Sequence, residues 1–139
     1  MTNSDLIAVM ESPLFAIAEA DIDVAPILFD RFFAAFPEHR VVFINPVAAR
    51  GRMTNETIEA MMGLATDEYW VPTTIVNFVD LHSIYGNFPA SLYAAFIDLL
   101  VDTLADAAGA AWTSEADAAW RTQARRLKSM IGDAIELIS

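Results

Sequence analysis

Apolar residues recur along this chain at helical spacing, and the stretches where they do so are bounded by proline, glycine and short polar side chains. Pro13, Pro26, Pro37, Pro46, Pro72 and Pro89 stand where helices are expected to begin, and Gly51, Gly86 and Gly109 where they are expected to part. Asp21 or Asp23 caps a helix running to Phe36, in which Leu28, Phe32, Ala35 and Phe36 share a side. A short turn follows from Pro37. Thr54 or Asn55 caps the next helix, with Glu56 near its positive end and Ile58, Met61, Met62 and Ala65 inward, ending near Thr66. Pro72 opens a helix whose Ile75, Phe78, Val79, His82 and Tyr85 fall on one face, opposite Thr73, Asn77 and Asp80. Another runs from Pro89 through Leu92, Phe96, Leu99, Leu100 and Leu104 to a stop at Gly109. Thr113 or Ser114 caps the last, with capping-box spacing between Ser114 and Asp117 and an apolar face of Trp120, Leu127, Ile131 and Ile138. No stretch alternates with period two, so the predicted class is all-α, and no repeat or linker divides the chain.

Composition narrows the chemistry. A length of 139 residues suits one domain, and the 55% hydrophobic content turns inward, because no apolar run approaches the roughly 18 residues of a membrane span. The segment Met1 to Met10 lacks the basic start and apolar core of a secretory signal, so a cytoplasmic protein is expected. With no cysteine, thiolate metal sites, disulfides and cysteine nucleophiles are excluded. The net charge of −11 argues against nucleic acid and anionic membranes as partners. All eight basic residues lie in two blocks, Arg31 to Arg52 and Arg121 to Lys128, while Met53 to Trp120 carries acids alone, the mark of a solvated acidic surface.

Two histidines remain as candidate ligands. His39, in Pro37-Glu38-His39-Arg40, has charged neighbours and reads as part of a solvated turn with no assigned role. His82 sits within an apolar stripe, where an imidazole needs a hydrogen-bond partner or a metal to offset its burial. Pattern alone favours a core histidine with a satisfied ring.

A resemblance adds to that reading. Leu28-Phe29-Asp30-Arg31-Phe32-Phe33, Phe36-Pro37-Glu38 and Phe43 resemble the second and third helices of bacterial globins and the phenylalanine that packs on their haem. His82-Ser83-Ile84-Tyr85-Gly86, Phe88-Pro89 and Tyr93 are similar to the proximal histidine segment and the start of the following helix. Trp112-Thr113 and Ala119-Trp120 resemble the opening of the last globin helix. The resemblance implies a globin fold, about six to eight helices around a haem pocket, with His82 as iron ligand. The second ring nitrogen of His82 is then expected to donate to the Phe78 carbonyl or toward Tyr93. Phe29, Phe43, Met53, Thr57, Phe78, Phe88 and Tyr93 complete the implied haem contacts, and Arg50 and Arg52, in a loop before the distal helix, are the nearest cations for its propionates.

The sequence departs from oxygen-handling members on the distal side. Phe29 stands where flavohaemoglobins carry an oxygen-stabilising tyrosine, and the distal glutamine or histidine is replaced by Met53 with Thr57 one turn on, or by Thr54 with Ile58. The acid that assists the proximal histidine there corresponds to Ile135, with Glu136 one position off. The implied function is capture of nitric oxide, carbon monoxide or dioxygen as carrier, scavenger or sensor; the alternative is a haem-free globin-fold interaction or sensory module. With no paired carboxylate, triad or phosphate loop recognisable, an enzyme reading reduces to haem-dependent nitric oxide or peroxide chemistry. That chemistry needs a separate reductase as partner, and a homodimer is the other partner this reading leaves open.

Overall fold

The computed structural model describes residues 2–42, 46–83 and 88–138, and among them it is all-helical. Six α-helices follow in order: α1 (Asn3–Glu19), α2 (Val24–Ala35), α3 (Pro46–Ala65), α4 (Val71–His82), α5 (Ala90–Ala108) and α6 (Ser114–Ile138), with short 3-10 turns at Pro37–Val42 and Gly109–Ala111. No described helix is long and apolar enough to cross a membrane.

Local chemistry sets most of the boundaries. Thr2 and Asp5 form a reciprocal capping box on α1, each backbone N–H donating to the other's side chain at 3.1 Å. Asp23 caps α2 by accepting from the Ala25 N–H, and Thr113 caps α6 by accepting from that of Ala116. Pro72 lies in the first turn of α4, Pro89 at the cap of α5, and Gly109 stops α5 at φ +57°.

Two helices end on Schellman motifs that use aspartate where glycine is usual. Asp21 stands at φ +56°, with its N–H donating to the Ala18 carbonyl and that of Ile22 reaching back to Ile17. Asp67 stands at φ +52°, with its N–H donating to Leu64 and that of Glu68 to Gly63. Asp21 therefore closes α1 and leaves the capping of α2 to Asp23.

Five expectations are corrected. Pro13 lies buried inside α1, which the sequence reading had not recognised as a helix. Gly51 lies inside α3, which starts at Pro46, so neither Thr54 nor Asn55 is its cap and Arg50 and Arg52 are helical. Embedded in the helix, the Thr54 hydroxyl donates back to the Arg50 carbonyl at 2.8 Å. Asp117 closes no box with Ser114; its carboxylate accepts from Trp112 Nε1 at 3.0 Å and from Arg121.

The long α6 packs against α1, α3, α4 and α5, and α5 packs in turn against α1 and α2. Trp120, with no solvent exposure, anchors this centre among Met10, Leu100 and Leu104; its Nε1 donates to the Met10 carbonyl at 3.2 Å and its indole stacks on Trp112. A second knot joins α2 to α5, where Phe29 packs on Phe32, Phe33 and Phe96 at centroid separations of 5.5 to 6.3 Å. Such ring pairs add about 0.5–1.5 kcal/mol each beyond burial. Around this core, cations staple neighbouring helices: Arg31 to Asp106, Arg121 to Asp102 and Lys128 to Asp98, each at 2.8 Å. Arg126 holds the turn after α3 by donating to the Leu64 carbonyl and to Asp67.

Candidate functional site

A cavity of about 760 Å³ opens between the α2–α3 side and the α4–α5 side of the molecule, with Leu127 and Ile131 of α6 among its lining residues. Its size falls in the range of small-molecule sites. Because α4 begins at Val71, its turns bring Ile75, Phe78 and His82 to one face, and His82, its final residue, reaches the cavity. Across from them α3 contributes Met53, Glu56, Thr57 and Ala60, again at helical spacing. Phe88, Tyr93 and Phe96 close the α5 side, and Phe32 and His39 that of α2 and its following turn.

His82 is half-buried and held on several sides. Its Nδ1 lies 2.8 Å from the carbonyl oxygen of Phe78 one turn back. A carbonyl only accepts, so Nδ1 carries the proton and donates, leaving the lone pair of the neutral ring on Nε2. The ring packs against Phe78 at 4.2 Å, Tyr93 at 5.7 Å and Phe88 at 6.4 Å between centroids. Burial pushes the imidazole below its ordinary pKa of 6.5, against the opposing pull of the Phe78 carbonyl and the Glu56 carboxylate. At neutral pH the ring is therefore uncharged and basic at Nε2. Burial also raises the Tyr93 phenol, which keeps it protonated.

Apart from Arg52 and Glu56, the α3 wall offers little hydrogen bonding in return. The Thr57 hydroxyl donates to the Met53 carbonyl at 2.7 Å, so its proton is committed to its own helix. Met53 presents a thioether and Ala60 a methyl group. Of the alternatives open from sequence, Met53 with Thr57 lines the cavity; Thr54 is buried elsewhere, and Ile58 borders a separate groove.

Met53, Thr57, Phe78, His82, Phe88 and Tyr93 thus meet at one cavity. Phe29 does not join them: its ring is fully buried behind the wall, and Phe32, one turn on, takes the lining position. Phe43, like Tyr85, lies outside the described residues. Arg52 lines the cavity, whereas the Arg50 guanidinium sits over the Phe33 ring at 5.6 Å. Ile135 is half-buried and Glu136 exposed.

His39 and Glu56 were missed as lining residues. The 3-10 turn folds His39 inward, its ring edge-on to Phe88 at 5.4 Å and 6.5 Å from Phe32. The Phe32–Phe36–His39 spacing carried that signal, but the charged neighbours of His39 obscured it. Glu56 shares the face of Met53 and Ala60, where the spacing alone placed it.

Among the described residues no group of three or more His or carboxylate side chains gathers to hold a bare metal ion. The neutral imidazole of His82 on a largely apolar cavity instead suits a metal that brings its other donors within a hydrophobic ligand. No family model, curated protein or solved structure matches this chain.

Proposed function

We propose that this chain is a haem-binding globin of the cytoplasm, which takes nitric oxide, carbon monoxide or dioxygen as carrier, scavenger or sensor. The observation that carries the reading is His82: its Nδ1–H is tied to the Phe78 carbonyl, so the lone pair of Nε2 is available on a wall of a largely apolar cavity. The arrangement of α3 and α4 on either side of the cavity, both packed on α6, is what a globin needs to grip a flat ring.

A haem there would supply an iron open to a diatomic gas, with His82 Nε2 as its protein ligand. Phe78, Phe88 and Tyr93 restrain the imidazole, and Met53, Thr57 and Ala60 form the opposite wall. Arg52 is the cavity's cation for a propionate. Because the Thr57 proton is spent on Met53, that wall favours nitric oxide and carbon monoxide over dioxygen, which needs a donor as it gains negative charge.

The test is reconstitution with hemin. The wild-type chain is expected to develop a Soret band that sharpens and shifts with carbon monoxide after reduction, and His82→Ala to lose the proximal-histidine signature while keeping its helical circular dichroism. If wild type and His82→Ala give the same spectrum as free hemin, the haem reading fails and a haem-free globin-fold interaction module takes its place.

A further inference from the structure

A second concavity lies on the opposite side of α3 and shares no residue with the haem cavity proposed above. It is a groove of about 700 Å³ between α1 and α3, floored by Ile7, Leu14, Ile58, Met62 and Trp70. Gly63 shapes it, since a Cβ there would come within 2.9 Å of Trp70 Cζ2; without one, the indole lies directly on the α3 backbone. Phe15, also on the groove, leaves 61% of its surface to solvent, apolar area that a partner could cover. Along α1 the groove runs from Ile7 to Phe15, nine residues spanning about 12 Å of helix, a little over two turns.

Its polar lining has one sign. Glu11, Glu59 and Glu68 line the groove, and no described arginine or lysine does. None of these three carboxylates has an ion-pair partner among the described residues, while Arg31, Arg121, Arg126 and Lys128 are each paired with an aspartate elsewhere. This local field reinforces a whole-chain charge of −11, which disfavours a second copy of the chain or an anionic membrane as occupant.

We propose that the α1–α3 groove docks a short cationic amphipathic helix of another protein. Apolar anchors at i, i+3, i+4 and i+7 enter between Leu14, Phe15, Met62 and Trp70, and flanking lysines or arginines pair with Glu11, Glu59 and Glu68. Charge complementarity chooses the partner's sign, and about 12 Å accommodates anchors from i to i+7, which span about 10.5 Å of helix.

The experiment is calorimetric titration of the full chain with two synthetic amphipathic helical peptides, one of leucine and lysine, the other of leucine and glutamate. The lysine peptide is expected to bind and the glutamate peptide not to. The variant Glu11→Gln/Glu59→Gln/Glu68→Gln should weaken binding by about tenfold or more, and Phe15→Ser should weaken it as well. A control, Asp30→Asn/Glu115→Gln/Asp133→Asn, removes the same charge from exposed positions elsewhere and should change affinity less than about twofold. Circular dichroism establishes that each variant keeps its helices. The proposal is overturned if the control weakens binding as much as the groove variant, if the lysine peptide does not bind, or if sedimentation shows a dimer that Phe15→Ser dissolves.

Discussion

Single side chains in this protein owe their states to one or two neighbours. Asp117 is held below the ordinary carboxylate value of 3.8 first by the hydrogen bond from Trp112 Nε1 and then by Arg121. A depressed folded pKa means that the unfolded chain takes up the proton more readily. The stabilisation is therefore fully present above the ordinary value and is lost as pH falls through it toward the lowered one. Asp117→Asn keeps an acceptor for the indole but loses the charge, so the wild type should be the more stable near neutral pH. That margin should shrink as urea unfolding is repeated down to about pH 3. His82 shows how far this scale was legible. Its apolar stripe followed from helical spacing, and the Phe78 carbonyl was one of the two partners that the globin resemblance implied for its second ring nitrogen. The displacement of Phe29 by Phe32 did not, because both lie on the inward side of α2 and only the packing of α5 decides which ring reaches the cavity.

At the scale of helices, the ends of α2, α3 and α5 were read to within a residue, and four of the six starts carried a visible signal. The N-terminal signals Asp23, Pro72, Pro89 and Thr113 are side-chain chemistry visible in one dimension. The α1 and α3 ends are closed by backbone hydrogen bonds around aspartates at positive φ; that of α3 was placed correctly near Thr66 without the motif that makes it, and that of α1 went unread with its helix. Helix α1 itself was missed because Pro13 was taken as a boundary, although Leu6, Met10, Pro13 and Ile17 keep helical spacing through it. The start of α3 was placed late for a related reason: Thr54 resembles a cap, yet its hydroxyl bonds back within the helix.

Two substitutions test these elements. Asp21→Gly, at an exposed left-handed position, should stabilise the fold by about 0.5–1 kcal/mol in urea unfolding, as relief of strain exceeds the added freedom of the unfolded chain. Gly63→Ala should act the other way. The new methyl would lie 2.7 Å from Val71 Cγ2, and overpacking of about 1–3 kcal/mol outweighs the roughly 1 kcal/mol gained in helix propensity. A lowered melting temperature is the expected reading.

For the molecule as a whole, the charge of −11 and the ion pairs respond to salt on different length scales. The pairs that staple α6 to its neighbours act at 2.7 to 2.8 Å. Repulsion among the surplus carboxylates extends past the Debye length of about 10 Å at 0.1 M and is screened first. Raising sodium chloride from about 0.01 to 0.2 M should therefore increase the urea midpoint; a decrease would mean that the staples outweigh the repulsion. The single all-helical class was legible at this scale, because composition and periodicity act over the entire chain. The groove between α1 and α3 was not, since one of its two walls belongs to the helix that Pro13 concealed. The indole of Trp120 joined to the carbonyl of Met10 carries a consequence for synthesis. Residues more than a hundred positions apart meet there, so on the ribosome α1 emerges well before α6 and keeps part of its oily flank uncovered until α6 has been made. That interval is when a chaperone, or a neighbouring nascent chain, has its best opportunity to bind.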